Sequence, residues 1–131
     1  MNNKIVILEN DKDSAEIIKS YLSEIEGVET DKLFDNYDEG ATYSIEAKPH
    51  IVLLALSNDI EQSKSMIQKL SSQNINVIVL SANYTTNLVI QTLRAGAKDF
   101  LSKPLIKKDF IASINKYNNE DKKIIIQKKD K

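Results

Sequence analysis

Five positions in this 131-residue chain fall at or just past the ends of short apolar runs, where side chains able to do chemistry can be brought together. Glu9 and Asn10 follow Lys4-Ile5-Val6-Ile7-Leu8. Ala55 ends Pro49-His50-Ile51-Val52-Leu53-Leu54-Ala55. Ser81 follows Val77-Ile78-Val79-Leu80, and Lys103 follows Asp99-Phe100-Leu101 after one serine. Together they offer a carboxylate, an amide, a hydroxyl and an ammonium, but no nucleophile–base pair. Ala55 has no lone pair, so it can neither receive a transferred group nor ligate a metal. Asn10 offers a carbonyl oxygen without charge. The chain has no cysteine, which excludes disulfides and thiolate metal sites. His50 is the single histidine, so clustered-histidine metal sites and triad chemistry are poor expectations. It begins the third apolar run, at the opposite end from the other positions, and reads as structural or exposed.

The elements that must position these residues alternate. Residues 4–8 form a β-branched run ending in a polar cluster, which reads as a buried strand. Ile17, Ile18, Tyr21, Leu22 and Ile25 read as one face of a helix, capped by Asp11 or by Asp13 with Glu16 as a capping box. Gly27 is expected to end it. Residues 28–34 suit a short, more polar strand near a sheet edge, and 38–47 a second helix stopped by Pro49. Strands are expected at 51–56, 77–80 and 99–101. A third helix is expected over 62–72, with Met66, Ile67 and Leu70 inward. Leu88, Val89, Ile90 and Leu93 mark a fourth, stopped by Gly96. Phe110, Ile111, Ile114 and Tyr117 mark a fifth. Five strands each followed by a helix require crossover connections. The fold class is therefore α/β, a doubly wound five-stranded parallel sheet with helices on both faces. In such sheets a site lies beyond the carboxyl ends of the strands, where Glu9, Asn10, Ala55, Ser81 and Lys103 collect.

Composition narrows the class further. Hydrophobic residues make up 41%, charged residues 28%, and the formal net charge is −1, a balance that gives no reason to expect direct nucleic-acid binding. No apolar run approaches the roughly 20 residues that span a bilayer, and no signal-peptide core is present. A cytoplasmic protein with no membrane contact is expected. One domain over residues 1–118 is expected, followed by a basic tail or the start of a linker at 119–131.

Residues 4–118 resemble the receiver domains of bacterial response regulators, in register throughout. The stretch Leu93-Arg94-Ala95-Gly96-Ala97-Lys98-Asp99-Phe100-Leu101-Ser102-Lys103-Pro104 carries the resemblance most specifically. The resemblance implies the flavodoxin-like fold and a role for each position. Glu9 and Asn10 stand where the family holds magnesium. Ala55 stands where it carries the phosphoacceptor aspartate. Ser81 matches the hydroxyl residue that binds the phosphoryl group, Phe100 the aromatic that reports the switch, and Lys103-Pro104 the lysine–proline pair. The departures point to a pseudo-receiver. Phosphoryl transfer needs a nucleophile and a divalent cation, and Mg2+ binding is expected to be weak or absent, with Glu9 and Asn10 the weak candidates. Asn58-Asp59 also replaces the family's usual pair after the acceptor strand. Asp59 could substitute as acceptor, but more simply caps the third helix or is solvated. Lys103 could pair with Glu9 across the vacated pocket, and Ser81 could serve loop packing or a phosphate role. No enzymatic activity is expected. The resemblance implies signal transduction by protein–protein contact, with a partner or a second copy binding the fourth helix, fifth strand and fifth helix (residues 86–117), where Lys98 and Lys107 are expected. The alternative is a conventional phospho-aspartate receiver whose acceptor was mutated to Ala55. A small enzyme on the same scaffold has no support, since no glycine-rich phosphate loop follows the first strand.

Overall fold

The computed structural model describes residues 2–118; the expected tail or linker at 119–131 lies outside the described residues. Ten elements alternate: β1 (Asn3–Leu8), α1 (Lys12–Leu22), β2 (Val28–Phe34), α2 (Tyr37–Ala47), β3 (Ile51–Ala55), α3 (Ile60–Ser71), β4 (Asn76–Ser81), α4 (Thr86–Ala95), β5 (Asp99–Ser102) and α5 (Lys107–Asn118). All strand pairs are parallel, in the order β2-β1-β3-β4-β5. The doubly wound parallel α/β sheet expected from the sequence is therefore the fold, with the polar strand β2 at an edge.

The strand residues alternate between two cores. Val6, Leu8, Val52, Leu54, Val77 and Val79 pack with residues of α2, α3 and α4. Ile5, Ile7, Ile51, Leu53, Ala55, Ile78 and Leu80 face α1 and α5. Burial on both faces explains why β1, β3 and β4 read as unbroken apolar runs. Among the described residues, no helix is long and apolar enough to cross a membrane.

Several boundaries differ from those expected, each for a local reason. The side chain of Asp11, not Asp13, caps α1 by accepting the Ser14 N–H, so no capping box forms at Asp13. The helix ends at Leu22 with Ser23 as its cap. Gly27 lies beyond it with φ +88°, turning the chain into β2. Ile17 is 44% exposed. Adjacent helical residues are separated by 100°, so Ile17 and Ile18 cannot both face the core. Ile90 and Leu93 likewise point outward from α4, while Leu88 is buried. The α2 helix begins one residue early at Tyr37 and stops at Lys48, whose left-handed conformation precedes Pro49. The α3 helix begins at Ile60 because Asp59 caps it, accepting the Gln62 N–H. Gly96 ends α4 as expected, with φ +124°.

The last turn of α5 is fastened at the amino-terminal ends of the strands. His50 Nε2 lies 3.0 Å from the Tyr117 carbonyl, the Tyr117 hydroxyl donates to the Lys98 carbonyl at 2.8 Å, and Asn3 Nδ2 donates to Asn118 Oδ1 at 2.5 Å. This gives His50 the structural place expected of it.

The close approach of α2 to the sheet depends on Gly40. A Cβ there would stand 2.9 Å from Leu8 Cγ and Cδ1 and 3.1 Å from Phe34 Cβ, with Leu8 itself fully buried. Gly40→Ala is accordingly expected to destabilise the domain by about 1–3 kcal/mol through overpacking, read as a lower urea midpoint with unchanged slope; an unshifted midpoint would show that α2 yields without cost.

Candidate functional site

The carboxyl ends of the strands bring together four of the five positions singled out above. Glu9 follows β1 directly. Its side chain is 2% exposed, and Lys103 Nζ donates to its Oε1 at 2.5 Å. Its other oxygen accepts the Asp11 N–H at 3.3 Å. A charged carboxylate this buried needs such partners. The ion pair between Glu9 and Lys103 raised by the sequence is thus present, and it joins the end of β1 to the loop after β5. Lys103 precedes Pro104 through a cis peptide bond, and its N–H donates to the Ser81 carbonyl at 2.8 Å.

Ser81 ends β4 in register with Ser102. Its hydroxyl donates to the Asn83 carbonyl and accepts the Asn83 N–H, both at 3.0 Å, so it serves the following turn. Ala55 ends β3 opposite Leu80 and is 2% exposed, its methyl among the apolar side chains on the α1–α5 side. Asn10 is exposed. Asp59 is engaged in capping α3, and the Ser57 hydroxyl closes the same turn, donating to the Asp59 carbonyl at 3.2 Å.

Tyr37 also belongs to this pocket, although the sequence reading did not single it out. Burial raises its hydroxyl above the usual phenol range; the nearby charge of Glu9 adds to the rise and a hydrogen bond with the Asn10 backbone opposes it. Its signal was local: an aromatic directly after the helix cap Asn36, at the carboxyl end of β2. The Asp11 carboxyl, by contrast, is held below its ordinary range, first by the Ser14 backbone N–H, then by the Ser14 side chain, with Lys103 adding a smaller pull.

Two residues expected on the α4–β5–α5 face sit at its margins. Lys98 is exposed at the foot of β5, and its backbone N–H donates to Val77. Lys107 turns toward α1, with Nζ 2.9 Å from Glu24 and 6.0 Å from the centre of the Tyr21 ring. The exposed apolar side chains in this region are Tyr84, Ile90, Leu93 and Ile106. Phe100 is 8% exposed within the core and meets Tyr84 edge-on. The broad cleft of about 1,010 Å3 lies at the opposite end of the sheet, beside His50 and Asn74, and includes none of the strand-end residues.

The order of the strands, the polar residues at their carboxyl ends and the lysine–proline turn after β5 agree with a comparison against known families: residues 5–115 match the response regulator receiver domain. The chain belongs to that family. It is 28% identical over 120 residues to the transcriptional regulatory protein MalR of Bacillus subtilis, an alignment covering 90% of this chain and 51% of that protein. The chain spans about half the length of the curated relatives it matches. Among solved structures it is similar to the Francisella response regulator 1452 receiver domain, with 28% identity, a TM-score of 0.76, and coverage of 92% of this chain and 99% of that one. A response regulator from Thermotoga maritima, 21% identical, shares the fold with a TM-score of 0.81 over 91% of this chain and 99% of its own. The chain is therefore a receiver domain of two-component signalling, a class of domain that generally signals without enzymatic activity.

In this receiver the pocket's one buried carboxylate is already neutralised by a cation belonging to the chain. Removing only that cation leaves Glu9 buried and unpaired. Lys103→Met should therefore cost about 3–5 kcal/mol, whereas the double change Glu9→Met/Lys103→Met should recover most of that loss. Urea denaturation of the two variants checks this; equal stabilities would mean that water satisfies Glu9 in the single variant.

Proposed function

We propose that this receiver domain signals by protein–protein contact without aspartyl phosphorylation. The reading is carried by Ala55, the last residue of β3, whose methyl is buried at the strand end where the resemblance leads one to expect a phosphoacceptor aspartate. Phosphoryl transfer to the protein needs a nucleophile, and a methyl group is none. The surrounding groups support the same reading. The donor set does not fit magnesium, which demands near-octahedral oxygen ligation. Glu9 has one oxygen on Lys103 and the other on the Asp11 N–H, Asn10 is neutral, and the described residues hold no group of three His, Cys, Asp or Glu side chains able to bind a metal. Magnesium binding is accordingly weak or absent in this proposal. Lys103 takes the place of an external cation, and Ser81 serves its own turn.

A receiver without a phosphoryl ligand must take its conformational bias from elsewhere, since a ligand shifts an equilibrium only through its differential affinity for the two states. We assign that role to a protein partner or a second copy on the α4–β5–α5 face, within the cytoplasm. An even charge balance favours a protein partner over nucleic acid.

Phosphorylation of the purified chain tests the proposal. Incubation with acetyl phosphate and Mg2+ should add no stoichiometric mass of about 80 Da, the mass of one phosphoryl group, in intact-mass spectra. Such an adduct would overturn it. Ala55→Asp alone should be phosphorylated poorly, and adding Asn10→Asp should help by returning a charged ligand beside Glu9. Efficient phosphorylation of the single Ala55→Asp variant would instead favour a conventional receiver altered at this one position. Ser81→Ala should leave partner or dimer affinity nearly unchanged; its loss in a folded variant would mean that the pocket still controls binding.

A further inference from the structure

The cleft of about 1,010 Å3 opens at the amino-terminal ends of the strands. The start of β1, the turns from α2 to β3 and from α3 to β4, and the approach to β5 form its walls. Its lysines are Lys4, Lys48 and Lys98, and no aspartate or glutamate among the described residues lines it. Five amide side chains, those of Asn2, Asn3, Gln73, Asn74 and Asn76, make up much of the remaining wall. The volume stands at the upper end of the range of about 300–1,000 Å3 typical of small-molecule sites. A single inorganic anion would leave most of it unfilled.

Helix ends account for some cations at this end of the sheet, because basic side chains offset the negative carbonyl ends of helices. Lys69, Arg94 and Lys116 do so in the last turns of α3, α4 and α5, and none of them lines the cleft. Two of the cleft lysines have no such duty: Lys4 lies on a strand and Lys98 directly precedes one. Lys48 caps α2 in a left-handed conformation, with φ 51°. Glycine is favoured there and a lysine is strained. The strained residue sets its ammonium on the wall of the cleft, where Nζ donates to Gln73 Oε1 at 3.0 Å and joins two of the turns. Neighbouring carboxylates do not cancel this charge. Glu29 pairs with Lys4 at 3.3 Å, but the two side chains are 47% and 52% exposed, and such a surface pair is weak. The Asp99 carboxylate accepts the Phe100 N–H and the Ser113 hydroxyl. Glu26 and Glu46 are exposed and lie outside the lining.

We propose that this cleft binds a phosphorylated small molecule of nucleotide size, with its phosphates against Lys4, Lys48 and Lys98 and its other polar groups on the amides. Lysine is a mobile point charge that serves phosphate oxygens without demanding one geometry. Each Asn or Gln side chain both donates and accepts, which suits a base edge or a sugar hydroxyl. The inference goes beyond the phosphorylation reading and does not depend on it, because phosphate is held here and not transferred.

Chemical-shift titration of the full chain with ATP and ADP tests it, without divalent cations and at fixed ionic strength. Both nucleotides should bind with sub-millimolar affinity and shift the amides of Lys48, His50, Asn74 and Lys98. Adenosine and citrate should bind at least about tenfold more weakly. Lys48→Gly suits the left-handed backbone, and Lys98→Ala keeps the backbone N–H that donates to Val77. Each should weaken ATP binding about tenfold with little change in thermal midpoint. Lys69→Ala, outside the cleft, should leave binding unchanged. The proposal is overturned if neither nucleotide binds at millimolar concentration, if citrate binds as tightly as ATP, or if the shifts centre on Ser81 and Lys103. It is equally overturned if Lys69→Ala weakens binding as much as Lys48→Gly, which would mark a diffuse charge effect.

Discussion

Burial of the three central strands on both faces is the constraint from which the rest of this structure follows. Residues 5–8, 51–54 and 77–80 are fully buried, with no measurable exposure. A polar side chain along these stretches would lose water without gaining a partner, so polar groups are displaced to the strand ends. Because every strand runs parallel to its neighbours, the carboxyl ends fall together. Glu9, Ser81 and Lys103 meet there for that reason, with Ala55 between them. The pocket is positioned by the apolar residues that precede it.

The same constraint explains what could be read from the chain alone. Runs such as Val77-Ile78-Val79-Leu80 have few alternatives to a buried strand, so sheet class, strand count and the gathering point were legible. Helix faces were less so. Apolar pairs such as Ile17-Ile18 declare a helix without stating which member faces inward, and the packing of α1 on the sheet decides it. Helix ends depended on which of several polar residues captured the first free N–H groups, as with Asp11 over Asp13. The Glu9–Lys103 pair could be named as one option because both residues belong to strand ends. Tyr37 had only its place directly after the cap Asn36 as a signal; that it reaches the pocket depends on how closely α2 approaches β1 across Gly40, a long-range contact.

The ion pair also sets the electrical character of the pocket. Asp11, Asn36, Asp59 and Thr85 each cap a helix with their own side chain. All four helices begin after a strand's carboxyl end, so their positive dipole ends ring the pocket. A lone ammonium would be poorly placed in that field. Glu9 therefore acts as counter-ion both to Lys103 and to the surrounding backbone. Under the proposed reading, this makes the pocket a fixed internal brace, and responsiveness passes to the α4–β5–α5 face.

The contact between Asn3 and Asn118 has an architectural consequence. The first strand and the last helix meet at one small patch, on the side of the sheet away from the pocket. Any polypeptide joined before residue 3 or after residue 118 departs from that single point of attachment. Such a unit can be spliced into a longer chain, or its ends joined and the chain reopened at a surface loop, with little displacement of what flanks it. A force drawing the two ends apart would first load the Asn3–Asn118 bond and the fastening of Tyr117 to His50 and Lys98. The strand-end pocket, at the far side of the sheet, would stand outside the line of tension.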